Sequence, residues 1–341
     1  MPSKARMSDM AVSPISMREP DQPAIVSVVI PARVGQETVA AADACEKLWG
    51  RIGGIDCWIA RGRQPSAQRN RAVRAAVGGW IYFLDDDSIP DAGNLDRAGG
   101  HFERPDVVAV GGPSLCLDGA TERQRDFAAV TTTWLAFGPS RARYKRIGSV
   151  RSTGEKELIL CNLAIRRSAF LEAGGLDESL YPNEENALMD KLRQRGGQLL
   201  YDPEFSVQRP PRATIRAFVK MVWTYGRGRA EQFRQLPTQG SILNFVPALL
   251  VLGTLTLPWW PTPLRWGYLA YGLAVLVQAT VTARQEHRNV FRIAALVVIC
   301  HFAYGCGFWR GLITRLKPFE ERLENPILLE HRTLHRTRHS L

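Results

Sequence analysis

The chain predicts an α/β fold, a doubly wound domain with apolar helices behind it, on three observations. β-branched, strand-favouring runs alternate with helix-patterned segments through the first half. One of those runs, Ile81-Tyr82-Phe83-Leu84, delivers three consecutive carboxylates, Asp85, Asp86 and Asp87, to one strand end. From about Asn244 the composition changes to long stretches of Leu, Val, Ala, Ile and aromatics. A length of 341 residues is ample for one large domain and an appendage.

Residues 1–24 mix Met, Ser, Pro and charges without apolar periodicity, which predicts a mobile tail. They lack a charged-then-apolar leader with a small-residue cleavage site, so export through a signal peptide is not expected. Ala24 to Pro31 is a near-continuous apolar run ended by proline, the pattern of a strand buried on both faces of a parallel sheet. A helix is expected over Glu37–Trp49, a strand over Ile55–Ala60, a helix over Ser66–Ala76 with Ser66 as its N-cap, and the strand Ile81–Leu84. Strand, helix, strand, helix, strand implies βαβ units with right-handed crossovers. Ligands of such sheets bind beyond the carboxyl ends of the strands, which puts Pro31-Ala32-Arg33 and the acidic triplet on one edge. Further strands are expected at Val107–Gly112, Cys161–Ile165 and Gln198–Tyr201, with a helix over Arg167–Ala173 capped by Gly174-Gly175. Tyr181-Pro182-Asn183-Glu184-Glu185-Asn186 then leads into a helix over Ala187–Arg195 that stops at Gly196-Gly197.

Three adjacent carboxylates repel one another unless a cation sits among them. Hard ions such as Mg²⁺ or Mn²⁺ take oxygen ligands, with phosphate oxygens commonly completing the shell, so a bound nucleoside diphosphate is the first hypothesis. Alternation along an extended segment places Asp85 and Asp87 on one face and turns Asp86 elsewhere, a division between metal and sugar or ribose. A solvated acidic turn before Pro90 is the plainer alternative. Glu184 and Glu185 likewise suit a helix start on dipole grounds alone.

Taken together, the ordered motifs resemble the family-two glycosyltransferases, which share the GT-A nucleotide-sugar fold, a Rossmann-like domain with a mixed sheet. The likeness covers about residues 25–235. It rests on Val-Ser-Val-Val-Ile-Pro-Ala-Arg ending at Arg33, on Ala67-Gln68-Arg69-Asn70-Arg71-Ala72, on Phe-Leu-Asp-Asp-Asp, and on Gly174-Gly175-Leu176-Asp177-Glu178 leading to Asn183-Glu184-Glu185 with Arg193 and Gly196 beyond. Tyr201-Asp202-Pro203, Pro211-Arg212 and Tyr225-Gly226-Arg227-Gly228-Arg229 make the chain similar to the succinoglycan-type exopolysaccharide branch, whose catalytic domain precedes membrane helices. The resemblance implies donor binding by Pro31, Ala32, Arg33, Arg69, Asp85 and Asp86, a metal on Asp87 with Asp85, and a base at Glu185 with Glu184 as its neighbour. Arg212, Arg227 and Arg229 are the candidates for an acceptor or a diphosphate. Two departures stand out. Glu185 replaces the usual Asp, adding about 1.5 Å of reach, and Ile59-Ala60-Arg61-Gly62-Arg63 stands where relatives carry an acid for the nucleotide base. A UDP-sugar is nonetheless the expected donor.

Segments 242–260 and 264–283 approach the roughly 20 residues that cross a bilayer, joined by the aromatic link Pro258-Trp259-Trp260-Pro261-Thr262-Pro263. Segment 293–309 carries His301, Gly305 and Gly307 and reads equally as a re-entrant or tilted helix. The expected organisation is a tail to residue 24, a catalytic domain over 25–235, membrane-associated helices over 236–312 and a basic tail over 313–341. The net charge of +11, beside apolar spans, points to anionic headgroups rather than nucleic acid, for which no aromatic-plus-basic signature is present. The six cysteines show no paired metal spacing and read as reduced, structural thiols. The composite expectation is a metal-dependent, inverting hexosyltransferase at the cell inner membrane, its catalytic domain cytoplasmic, acting on a lipid-linked or saccharide acceptor. The alternatives are a transferase loading one sugar onto polyprenyl phosphate and an inactive scaffold of the same fold.

Overall fold

A computed structural model describes residues 26–50, 54–180, 183–235, 237, 239–315 and 326–333. The expected N-terminal tail, and the C-terminal tail apart from residues 313–315 and 326–333, lie outside the described residues. The first unit is β1 (Val26–Arg33), α1 (Ala40–Trp49), β2 (Ile55–Gly62), α2 (Pro65–Ala75) and β3 (Trp80–Leu84). β1 pairs in parallel with both β2 and β3, Val28 standing beside Cys57 on one side and Tyr82 on the other. All five residues of β3 and seven of the eight in β1 are buried, as strands covered on both faces must be. Ser66 is not the N-cap of α2. Pro65 opens the helix, where its missing N–H costs nothing, and Ser66 is buried inside the first turn.

The chain continues through β4 (Ile89–Pro90), α3 (Asn94–Phe102), β5 (Val107–Gly111), β6 (Ser114–Cys116), α4 (Glu122–Thr131) and α5 (Trp134–Phe137). β7 (Arg151–Ser152), β8 (Asn162–Arg166), α6 (Arg167–Glu172), α7 (Glu184–Gln194), β9 (Gln198–Tyr201) and β10 (Val207–Arg209) complete the domain. The main sheet runs β2-β1-β3-β8-β5-β9-β7, with β8 antiparallel to both neighbours, so the doubly wound sheet is mixed. A small second sheet, β4-β10-β6, brings Arg209 back beside the acidic triplet. Val28, Ile30, Tyr82, Leu84 and Phe205 form part of the core on one face of the large sheet, and Val29, Ile81, Phe83, Phe170 and Leu188 part of that on the other. Burying each such side chain contributes about 1.5–3 kcal/mol.

Four long elements follow: α8 (Ile215–Gln235), α9 (Val246–Thr256), α10 (Thr262–Gln285) and α11 (Val290–Ile313). The stretches Ile242–Trp259, Arg265–Gln285 and Val290–Ile313 are each long and apolar enough to cross a membrane. A final strand, β11 (Leu328–Thr333), pairs antiparallel with the outer side of β2 and becomes the edge of the main sheet.

Candidate active site

Three consecutive buried polar side chains of α2 tie the site together. Gln68 donates to the carbonyls of Ala32 and Ala60, at 2.8 and 2.5 Å, which pins the ends of β1 and β2 to each other. Asn70 donates to the carbonyl of Leu176 and to Glu178, both at 2.8 Å, and accepts from the Leu176 amide at 2.9 Å, fixing the loop that leads to Glu184. That loop turns through Gly174 and Gly175 at φ +84 and +73, and a side chain at Gly175 would run into Asn70. Arg69, between them, points into the site.

Its guanidinium donates to Asp85 at 2.5 Å and lies 3.9 Å from Glu184. Arg209, from β10, lies across the acidic triplet, 3.0 Å from Asp85 and 2.6 Å from Asp87. Asp86 turns the other way and accepts from Gln36 at 2.9 Å, the division that the alternation predicts. Burial raises the Asp85 carboxyl, but Arg209, Arg69 and Arg212 together outweigh it and hold it below the usual carboxylate range.

Asn183, with φ 106, enters α7 from the left-handed region and throws Glu184 and Glu185 into its first turn. Their environments differ. Glu184 is buried at 3% exposure, and burial together with its like-charged neighbour Glu185 pushes its carboxyl up to about 8 against the pull of Arg69. Glu185 is the more open of the two and lies 3.6 Å from Arg143. Arg143 also donates to Asn186 at 2.7 Å, and Arg229 of α8 reaches the same oxygen at 3.2 Å. Asp87, Arg209, Asp85, Arg69 and Glu184, then Glu185, Arg143, Asn186 and Arg229, thus form a network of acids and guanidiniums along the carboxyl edge of the sheet.

The remaining expected residues fall around it. Pro31 and Ala32 are buried at the end of β1, and Arg33 is exposed just beyond, its amide 3.3 Å from Gln36. Arg212 is exposed and shares a cavity with Arg209. Arg227 lies 3.4 Å from Glu231 on its own helix and over the ring of Trp223. Arg209 and Arg143 are not singled out by the sequence. Arg209 stands within the basic stretch Gln208–Arg212, whereas nothing distinguishes Arg143 from the arginines on either side of it. Asp56, inside β2, accepts from its neighbour Trp58 at 2.6 Å and serves the sheet edge.

Asp85 and Asp87 are a hard-oxygen donor pair facing one point, which suits Mg²⁺ or Mn²⁺ with a diphosphate supplying further oxygens. Among the described residues no third His, Cys, Asp or Glu joins them, so a cation here would lean on its substrate's phosphates and displace Arg209.

Residues 35–174 match the family model described as Glycosyl transferase family 2. Over that stretch the chain is similar to the family 2 glycosyltransferases. The chain is 28% identical over 265 residues, 74% of its length and 76% of the relative's, to the succinoglycan biosynthesis protein ExoA of Rhizobium meliloti. It is also 28% identical over 166 residues to the pre-mycofactocin glycosyltransferase of Mycobacterium tuberculosis, spanning 49% of this chain and 34% of that relative. Among solved structures, the mannosyltransferase PcManGT of Pyrobaculum calidifontis, in complex with GDP-Man and Mn²⁺, superposes with a TM-score of 0.50 at 16% identity, covering 86% of this chain and 89% of that one. The shared fold is therefore GT-A-like, with three long apolar helices following it.

Proposed function

We propose that this chain is a membrane-associated, inverting glycosyltransferase that moves a sugar from a nucleotide donor, a UDP-sugar by preference, to a lipid-linked saccharide or polysaccharide acceptor on the cytoplasmic face of the inner membrane. The observation that carries the reading is the shared guanidinium. Arg69 joins Asp85, one of the aspartates that would face a diphosphate, to Glu184, the neighbour of the carboxylate that would face an acceptor. The likeness to ExoA supports an envelope or exopolysaccharide acceptor, and the nucleotide-sugar and Mn²⁺ of the structural neighbour support a donor and cation of that class.

In the reaction, an acceptor hydroxyl attacks the anomeric carbon as the bond from that carbon to the diphosphate oxygen breaks. A single displacement from the far side inverts the anomeric centre. Glu185, the more open carboxylate, takes the hydroxyl proton. Glu184, neutral below about 8, does not compete for that proton. Held by Asp85 and Asp87, Mg²⁺ or Mn²⁺ would supply charge neutralisation to the departing diphosphate. Arg69 holds Asp85 in place, while Arg209 and Arg212 supply cationic hydrogen-bond donors at the mouth. A cavity of about 90 Å³ is lined by Arg209, Arg212, Tyr144 and Tyr225 together with the apolar Phe127 and Met221.

Purified protein should release nucleoside diphosphate from its donor with Mn²⁺, and Asp87→Ala should abolish this. Equal release by both, or by neither, overturns the reading and leaves a scaffold of the same fold.

A further inference from the structure

The last strand of the sheet constrains how the apolar helices meet a membrane. β11 follows all of them in the chain, yet it pairs with β2 through six residues, from Leu328 beside Arg61 to Thr333 beside Asp56, and Glu330 binds Arg61 at 2.9 Å. A strand and the sheet it completes stand on one side of a bilayer. The number of complete crossings between α8 and β11 is therefore even, and three crossings are excluded. In sequence, the 12 residues 316–327 fall short of the roughly 20 that a span needs and include Lys317, Glu320, Glu321, Arg322 and Glu324.

Packing decides which helices stay out. α11 meets α8 backbone against backbone: a Cβ at Gly226 would overlap the Tyr304 carbonyl, and one at Gly307 the carbonyl of Trp223. α8 belongs to the catalytic domain, where Arg229 binds Asn186, and it also bears Arg216, Lys220 and Arg234. Such a helix is costly to draw into lipid, and α11 cannot enter without it. α10 is held along its second half. Gln278 accepts from the Leu135 amide at 3.3 Å, and Lys145 lies 3.1 Å from Glu286, just past the helix end.

The exposed apolar surface comprises the outer face of α9, the elbow, the first turns of α10 and, on the side of α10 turned away from these contacts, Leu273, Leu276, Val277 and Val281. Leu249, Leu252 and Leu255 recur at helical spacing on the α9 face, Trp259 at the elbow is 80% exposed, and Trp266 and Leu269 continue the apolar surface. From Thr262 to Tyr271, whose hydroxyl meets His301 of α11 at 2.8 Å, α10 rises about 15 Å. That is about half of the ~30 Å hydrocarbon core. Arg265, near the elbow, gives its guanidinium to the Pro258 and Trp260 carbonyls at 3.1 and 3.0 Å, which lowers the cost of bringing it to the lipid boundary.

We propose that the chain is monotopic: no helix crosses the bilayer, α11 is a platform fixed to the catalytic domain, and the α9–α10 elbow dips into the near leaflet alone. The inference rests on the membrane reading above. Its test places single cysteines at Arg104→Cys in the domain, Leu328→Cys in β11 and Thr262→Cys at the elbow. A membrane-impermeant maleimide is applied to intact cells and to inverted vesicles, with the unsubstituted chain, whose Cys306 is exposed, as background. Arg104→Cys and Leu328→Cys should label from the same single side, and Thr262→Cys should stay unlabelled from the other. Labelling of domain and strand from opposite sides, or of the elbow from the side opposite the domain, overturns the proposal. In vesicles of brominated lipid, tryptophan quenching should fall in Trp259→Phe; undiminished quenching overturns elbow insertion. A chain that fails to float with vesicles at all overturns the membrane reading itself, whereas far-side labelling of a floating chain overturns this inference alone.

Discussion

Asp85 and Glu184, distant in sequence, share the guanidinium of Arg69, which lies 2.5 Å from the first and 3.9 Å from the second. Removing it leaves two carboxyls in a confined space with nothing between them. Arg69→Ala should therefore cut turnover by about 10²–10³-fold, the scale of losing one preorganised charge-bearing donor. It should also weaken donor binding, because Asp85 loses the partner that orients it. Arg69→Lys keeps the charge but not the fork and should recover only part of the rate. Steady-state kinetics with separate kcat and KM test this, and a fall in KM alone would contradict it.

Arg209 spans the two aspartates at 3.0 and 2.6 Å, where a divalent cation would sit. Guanidinium and cation compete for the same oxygens. Arg209→Gln should bind Mn²⁺ more tightly in the absence of donor, several-fold by titration calorimetry or by the loss of free-ion resonance signal. It should release nucleoside diphosphate more readily, since a cationic donor at the mouth is gone. Unchanged Mn²⁺ affinity would mean that the pair does not serve a cation.

Glu184 gives the fold a pH dependence of definite sign. Its folded carboxyl is raised from 4.5 to about 8 by burial and by Glu185, so the folded state holds a proton that the unfolded chain releases. The stability this provides is fully present below the ordinary carboxyl value and is lost as pH rises through about 8. Ionising it at higher pH costs on the order of several kcal/mol, since each tenfold weakening of an acid corresponds to about 1.4 kcal/mol. Melting temperature should fall as pH rises from about 5 to about 8 in the wild type and level off above, and Glu184→Gln, which mimics the neutral form, should flatten that slope.

The strands that build the site were legible because burial on both faces demands continuous apolar runs. β1, β2 and β3 begin and end within about two residues of where those runs do. β9 is Gln198–Tyr201 as the pattern between Gly197 and Asp202 predicts. Long-range pairing left no such trace. β11 lies in a charged stretch, half-exposed on a sheet edge, and its partner β2 stands some 270 residues away. Gly305 and Gly307 made the third apolar segment look weak, yet they are where α9 and α8 approach α11 most closely, and that helix is the most buried of the three. In the site, the acidic triplet and the Glu pair announced themselves by spacing, whereas Arg209 is chosen by a turn of β10 that only the second sheet defines.

The two glutamates can be separated by substituting each alone. Glu185 lies 3.6 Å from Arg143, beside Asn186, and is the more exposed, so it can meet an incoming hydroxyl. Glu184 is buried, protonated at neutral pH, and has one carboxyl oxygen without a hydrogen-bond partner. Glu185→Gln should leave donor binding unchanged and reduce transfer by about 10²–10⁴-fold, the range for loss of a general base. Glu184→Gln preserves the shape of the neutral acid and should retain most of the transfer at pH 7. Donor affinity by calorimetry and transfer by product analysis, measured on both variants, decide between them. Transfer retained in Glu185→Gln but lost in Glu184→Gln would move the base to Glu184, with Arg69 as the cation that lets it ionise.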